Sequence, residues 1–89
     1  MILHLGNDVF VKLKHVLMIL EYEEAASNKD TSLFLSGLKK HIIDEHMVKA
    51  VVVTDENGLM VYCSPISPAT LLKRCGDPLP FADAVPVDS

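Results

Sequence analysis

The stretch from residue 48 to residue 68, VKAVVVTDENGLMVYCSPISP, decides the fold of this chain. It predicts two strands joined at Asn57 and Gly58, because both residues accept the positive φ of a two-residue type I′ turn. The strands, residues 48–54 and 59–63, are apolar at nearly every position. A hairpin with one face in water would alternate apolar and polar residues, so both faces of this one need a cover.

The turn also predicts which side chains share a face. Closure at a two-residue turn places Thr54 opposite Val61. One face would then carry Val52, Thr54, Val61 and Cys63, and the other Val51, Val53, Met60 and Tyr62. We expect neighbouring copies of the chain to cover the apolar surface that one subunit leaves open. The candidate contacts between copies are Ile2, His4, Val51, Val53, Met60 and Tyr62.

The other segments complete an α+β pattern in a single small domain. They predict strands at 2–5 and 9–11 around a turn at 6–8, followed by a buried strand at 16–20 or a helix over 12–20. A loop at 21–30 comes next, and then a main helix over 33–46 that is capped by Asp30, Thr31 or Ser32. A short helix follows the N-cap Ser67. The expected architecture is an antiparallel sheet of two hairpins with one main helix and a short C-terminal helix.

Length and composition limit the protein classes. The 89 residues form one domain, of which 49% are apolar, and the mean hydropathy is +0.29. This apolar fraction is high for a small monomer, so we expect the surplus apolar surface to contact other copies. The longest apolar run is far shorter than the roughly 18 residues of a membrane span, and no signal peptide is evident. These features predict a cytoplasmic protein without a membrane partner.

The charges are unevenly distributed along the chain. The net charge is −4, and residues 1–75 hold all eight Lys and Arg against nine of the twelve Asp and Glu, so that part carries −1. Residues 76–89 are rich in proline and acidic, which predicts a disordered or extended tail. The alternative is that the tail packs on a neighbouring subunit through Leu79, Pro80 and Phe81.

No cluster of residues predicts catalysis or metal binding. His41 and His46 are five residues apart, a poor spacing for one helical face, and His41 with Glu45 supplies only two ligands. Cys63 and Cys75 lack a CxxC spacing and are expected to be reduced thiols. No nucleophile has a partner, and no phosphate-binding loop is present. We therefore expect no enzyme activity, no cofactor and no small-molecule substrate.

Two segments together resemble a known family. The opening MILHLGNDVFVKLKHVLMIL and the segment KAVVVTDENGLMVYCSPISPATLLKR are similar to the RemA/RemB family of bacterial extracellular-matrix regulators, and the LHLG start and YCSPISPATLLKR ending are closer to the RemB branch. The resemblance covers residues 1–75. It implies a subunit that assembles into a closed homo-oligomeric ring and binds double-stranded DNA as a transcriptional regulator of biofilm-matrix genes.

The resemblance also implies where DNA would bind. Family members place arginines just after the N-terminal strands, where this chain has Lys14 and His15, and just before the central hairpin, where it has His46 and Met47. Lysine and histidine bind phosphate less firmly than the forked guanidinium of arginine. The candidate DNA contacts are Lys12, Lys14, His15, His46, Lys49, Lys73 and Arg74. The alternative function is an oligomeric scaffold of the same family that binds a protein and not DNA.

Overall fold

A computed structural model describes residues 1–75, and the predicted tail at 76–89 lies outside the described residues. The elements follow the chain as β1 (Ile2–Gly6), β2 (Val9–Lys12), a 3-10 helix (Leu13–His15), β3 (Val16–Glu21), α1 (Tyr22–Ser27), α2 (Lys29–Ser36), β4 (Lys39–Ile42), β5 (Ala50–Asp55), β6 (Leu59–Ser64) and α3 (Pro68–Cys75). None of the helices in this part of the chain is long and apolar enough to cross a membrane.

The strands form one mixed sheet and one separate ribbon. The four-stranded sheet has the order β3-β5-β6-β4, in which β5 is antiparallel to both of its neighbours and β4 runs parallel to β6. β1 and β2 pair only with each other and form the two-stranded ribbon. The single α+β domain is thus confirmed, whereas the expected purely antiparallel sheet is wrong because β4 joins it in parallel.

Two layers of the chain itself cover the two faces of the sheet. On one face, the ribbon and α3 enclose a core that includes Leu5, Val52 and Leu71. We call residues 1–15 and 68–75 the hairpin layer. On the other face, α1 and α2 enclose a core that includes Leu35 and Val53. We call residues 22–36 the helical layer. The central hairpin is therefore covered within the subunit, and it needs no neighbouring copy for that purpose.

The register of the central hairpin differs from the predicted one by one residue. Asp55 pairs with Leu59 and Thr54 with Met60, because the loop takes three residues and the Glu56 N–H donates to the Gly58 carbonyl oxygen. The shift places Val51, Val53, Val61 and Cys63 together under the helical layer, and Ala50, Val52, Thr54, Met60, Tyr62 and Ser64 on the other face. The predicted division of the side chains between the faces is therefore wrong.

The segment from 21 to 46 also departs from its prediction. The expected loop at 21–30 contains α1, and the expected helix over 33–46 ends at Gly37 and is followed by β4. Local capping explains the helices: Glu21 Oε1 accepts from the Glu24 N–H at 2.7 Å, and Asn28 Oδ1 accepts from the Thr31 N–H at 2.9 Å. Asn28 is thus the N-cap of α2, rather than Asp30, Thr31 or Ser32.

Three local predictions are confirmed. The N-terminal ribbon closes around Gly6 and Asn7, whose φ angles are 121° and 49°. Residues 16–20 form a strand and not a helix, although it is a sheet edge with exposed residues rather than a buried strand. Ser67 precedes α3, and its hydroxyl accepts from the Thr70 N–H at 3.3 Å. The turn and the helix start depend on residues close together in the chain, whereas the strand at 16–20 pairs with β5.

Candidate nucleic-acid interface

The sheet separates the charges of the chain. The hairpin layer holds Lys12, Lys14, Lys73 and Arg74 against one acidic residue, Asp8, which gives that layer +3. The helical layer holds Glu23, Glu24 and Asp30 against Lys29, which gives it −2. The strands and loops outside the two layers carry the remaining −2 of the described residues, so the net positive charge is concentrated in the hairpin layer. A concentration of Lys and Arg on one side is the electrostatic feature that nucleic acid requires.

The outward face of the ribbon carries an exposed aromatic pair. Because side chains alternate along a strand, Leu3, Leu5 and Val11 point into the core, and Ile2, His4, Phe10 and Lys12 point away from it. The rings of His4 and Phe10 stack with their centroids 4.6 Å apart, and Phe10 remains 58% exposed. Phe10 is not among the predicted site residues, although its position between the inward Val9 and Val11 predicts an outward side chain.

Hydrogen bonds hold this pair in place. His4 Nε2–H donates to the Asn7 carbonyl oxygen at 2.6 Å, since a carbonyl oxygen only accepts. Arg74 donates from its guanidinium to the His4 carbonyl oxygen at 3.1 Å, which brings α3 to the ribbon. The guanidinium keeps other N–H donors that this bond does not use. The ribbon face therefore combines an oriented aromatic pair with two cations, Lys12 and Arg74.

The structure does not bring all the predicted DNA contacts together within one subunit. Lys12, Lys14 and His15 lie near the start of β3, beside the end of β5. His46 and Lys49 precede β5 and lie at its other end, which is about 17 Å away for a strand of this length. Lys73 and Arg74 end α3. All of these side chains except half-buried His15 are exposed.

Two of the candidates have acidic neighbours. His15 Nε2 lies 3.9 Å from Glu56 Oε2, and the two side chains form an ion pair when the imidazole is protonated. The backbone N–H of His46 donates to Asp44 Oδ1 at 2.9 Å, so the Asp44 carboxylate lies close to that turn. Both carboxylates repel phosphate. These two histidines are therefore less suited to bind an anion than the lysines and Arg74.

The predicted contacts between copies divide into three groups. Ile2 is 65% exposed on the ribbon, and His4 is half-buried beside Phe10. Met60 and Tyr62 are half-buried. Val51 and Val53 are only 3% and 0% exposed, because the helical layer covers them, so they are unavailable to another copy. The exposed large apolar residues lie elsewhere: Met1, Ile2, Phe10, Leu17, Met18, Tyr22, Leu33, Phe34, Ile42, Met47, Leu59 and Leu72.

A hydrophobic groove opens between the helical layer and the β4–β6 side of the sheet. It has a volume of about 510 Å³, with Leu35, Val61 and Cys63 in its lining. Burial raises the pKa of the Cys63 thiol, an effect that the charge of Lys40 partly opposes. Burial likewise raises the pKa of Cys75, and both cysteines are free, as predicted. A thiol with a raised pKa is a weak nucleophile at neutral pH, so the groove does not contain an activated cysteine.

The histidine-containing segment at 41–46 forms no metal site in the described part of the chain. His41 packs against Tyr62 with ring centroids 5.7 Å apart, on the strand β4. His46 lies beyond β4 in the following turn. No group of three or more His, Cys, Asp or Glu side chains within residues 1–75 is arranged to hold a metal ion.

Taken together, these features define a small α+β domain with a mixed sheet and a cationic aromatic surface on one side of it. Comparison of the chain with known protein families, with characterised proteins and with solved structures gives no match.

Proposed function

We propose that this chain is a cytoplasmic, homo-oligomeric DNA-binding protein of the RemA/RemB type, which regulates extracellular-matrix genes without a cofactor or a catalytic step. The observation that carries the DNA-binding part is the separation of charge by the sheet, with +3 on the hairpin layer and −2 on the helical layer. The control of matrix genes rests on the family resemblance alone. DNA is a polyanion, and it would approach the hairpin layer and be repelled by the helical layer.

Assembly is supported by the edges of the four-stranded sheet. β3 and β4 are the outer strands, and neither pairs with a further strand within the described residues. Apolar side chains stand exposed on both, including Leu17 at 55% and Ile42 at 52%. An exposed, partly apolar edge pairs readily with another chain, and a closed ring of copies would leave no such edge. The exposed apolar residues of these two edge strands are therefore the proposed contacts with other copies.

Assembly would also raise the affinity for DNA. One subunit offers four Lys and Arg on its hairpin layer, a modest number of phosphate contacts. A closed assembly repeats that layer once for each copy, and contacts made along one duplex add. Phosphate contacts dominate such binding, so affinity should fall steeply as the salt concentration rises. The reason is that counterions released from DNA gain less entropy when the surrounding salt is concentrated.

A salt series on matched variants tests DNA binding. We expect the logarithm of affinity for mixed-sequence duplex DNA to fall linearly with the logarithm of salt between about 50 and 200 mM. Lys12→Ala with Lys14→Ala should weaken binding and flatten the slope by about 2 for each engaged subunit. The control, Lys29→Ala with Lys40→Ala, removes the same charge from the helical side of the sheet and should leave the slope unchanged. Absence of binding even at low salt would exclude this function.

Native mass spectrometry tests assembly separately. We expect one closed oligomer of defined copy number at near-neutral pH. A well-folded monomer at micromolar concentration would exclude the assembly part of the proposal, and the repeated cationic surface with it.

A protein-binding scaffold is the second candidate, and one observation favours it. On α2, within the acidic helical layer, Leu33 is 72% exposed and Phe34 is 48% exposed. Neighbouring exposed apolar residues are typical of surfaces that bind proteins. An oligomer that binds no DNA at low salt would favour this candidate.

A further inference from the structure

We propose that the β1–β2 ribbon enters the major groove of double-stranded DNA, where the exposed ring of Phe10 contacts thymine methyl groups. This inference rests on the proposed DNA binding. It adds the element that reaches the bases, whereas the charge of the hairpin layer accounts only for contacts with phosphate.

The ribbon has the size and the support that such a role requires. It is two strands wide, and the major groove, about 12 Å across, admits a two-stranded ribbon. Its inward face is anchored, because the Ser64 hydroxyl donates to the Leu5 carbonyl oxygen at 2.6 Å. Its turn is anchored as well, because the Asn7 side-chain amide donates to the Ile43 carbonyl oxygen at 3.1 Å. The outward face is therefore presented to solvent on a rigid base.

The ring of Phe10 is already oriented before any contact with a base edge forms. Its ring stacks on His4, with an angle of 24° between the ring planes, and the His4 ring is oriented by its bond to Asn7. An aromatic side chain that is already oriented loses little conformational entropy when it binds. Phenylalanine makes apolar contact with the C5 methyl group of thymine in the major groove. Exposure of 58% leaves enough of the ring free for that contact.

The charges around Phe10 favour DNA over a contact between the ribbons of two copies. Lys12 lies on the same face of the ribbon, and Arg74 lies beside it through its bond to His4. Two copies that met face to face through their ribbons would bring the Lys12 and Arg74 side chains of both copies close together, since a two-fold contact uses the same surface twice. Such like charges repel, whereas phosphates on both sides of a groove would attract them.

Two residues have a different role in this inference from the one that the sequence predicted. Ile2 and His4 were expected to contact a neighbouring copy, and both lie on the outward face of the ribbon. Under the present inference Ile2 makes no contact with thymine methyl groups, and the His4 ring stacks on the ring of Phe10. The contacts between copies then fall to other surfaces, such as the sheet edges β3 and β4.

Duplex DNA with and without thymine methyl groups provides the test. The probes are a short mixed-sequence duplex and the same duplex with uracil in place of every thymine, which removes the methyl groups and keeps every phosphate. The full chain should bind the thymine duplex two- to fourfold more tightly for each buried methyl group. Phe10→Ala should bind both duplexes equally and more weakly, while Phe34→Ala, on the helical layer, should behave as the unchanged chain.

The outcomes separate this inference from the proposed function. If the unchanged chain binds neither duplex at low salt, the proposed DNA binding fails and the inference fails with it. If it binds both duplexes equally, or if Phe10→Ala retains the preference for thymine, the inference fails and DNA binding stands.

Native mass spectrometry and circular dichroism of the same samples complete the test. Phe10→Ala should keep the fold and the copy number of the unchanged chain, since the ring lies outside the core. If Phe10→Ala instead breaks the assembly into monomers, the ribbon face is a contact between copies and the inference is overturned.

Discussion

The two layers that cover the sheet differ in how they are built and in what they leave exposed. The hairpin layer is tightly joined to the sheet: Leu5 and Leu71 are fully buried, and Ser64 links the sheet to the ribbon by a buried hydrogen bond. The helical layer covers only part of its face and leaves a groove of about 510 Å³ beside Leu35. The tightly joined layer carries the cations, and the loosely joined layer carries the acidic residues. A cationic layer joined to the sheet in this way would suit the proposed DNA-binding surface.

The largest expected difference between the layers concerns core packing. Leu5→Ala should lower the free energy of unfolding by about 4 kcal/mol, because the side chain is fully enclosed and its loss leaves a cavity. Leu35→Ala should cost less, about 2 kcal/mol, because its site already opens onto the groove. Urea unfolding of both variants measures the difference. Equal costs would show that the two cores are packed alike.

The next largest difference is expected between alanine substitutions at the two turn glycines. Gly6 and Gly58 have nearly the same φ, 121° and 122°, so alanine is strained at both. A Cβ at Gly6 would lie 3.1 Å from two ring carbons of Pro65, whereas nothing lies within 4 Å at Gly58. We expect Gly6→Ala to cost about 3 kcal/mol and Gly58→Ala about half of that, because only the first adds a steric clash to the strain. Thermal unfolding of the pair decides it, and a larger loss at Gly58 would contradict the described turn.

A smaller effect is expected from the hydroxyl that joins the ribbon to the sheet. Ser64→Ala leaves the buried Leu5 carbonyl oxygen without its donor and the Ile66 N–H without its acceptor, so it should cost about 2 kcal/mol. The control, Ser36→Ala, removes an exposed bond to the Leu33 carbonyl oxygen and should change the free energy of unfolding by less than about 0.5 kcal/mol. Chemical unfolding that shows equal losses would place Ser64 in contact with water.

The smallest effect concerns the two thiols. Burial raises the pKa of Cys63 and of Cys75 above the ordinary value of 9.0, so at pH 8 each should react with iodoacetamide more slowly than a free thiol. Lys40→Ala removes the positive charge that opposes this shift and should slow Cys63 further. Mass spectrometry of the labelled chain measures both rates. Faster labelling of Cys63 in Lys40→Ala would contradict the stated cause.

The raised thiol pKa values also give the direction of a pH effect on stability. Because the unfolded chain releases these protons at a lower pH than the folded chain, the stabilising contribution is complete below the ordinary thiol pKa. It is lost as the pH rises through the folded-state values, above 9.0. Cys63→Ser should remove part of that dependence.

Local signals in the sequence predicted where the turns lie and where α3 begins. Gly6 with Asn7, Asn57 with Gly58, and Ser67 with Pro68 mark these places from adjacent residues, although the loop at Asn57 and Gly58 has three residues and not the predicted two. The strand β4 was missed because apolar residues four apart, such as Phe34 and Leu38, also suit a helix. Its pairing with β6 depends on residues about 20 positions away in the chain.

The candidate interface was predicted only in part. The basic residues of the hairpin layer were identified from composition and resemblance, but their common side of the sheet was not. The outward position of Phe10 follows from alternation along the strand, but its stacking on His4 depends on the pairing of β1 with β2. Val51 and Val53 were assigned to contacts between copies because the sequence does not show that α1 and α2 cover their face.

The sequence by itself determined that this chain forms one α+β domain built around an apolar hairpin, because turn chemistry and hydrophobic patterning act over a few residues. The tertiary structure decided what covers that hairpin, how the strands pair in register and which side of the sheet carries the positive charge. These properties depend on segments such as residues 1–15 and 68–75, which are distant in the chain and meet only when burial of their shared core compensates the loss of chain entropy.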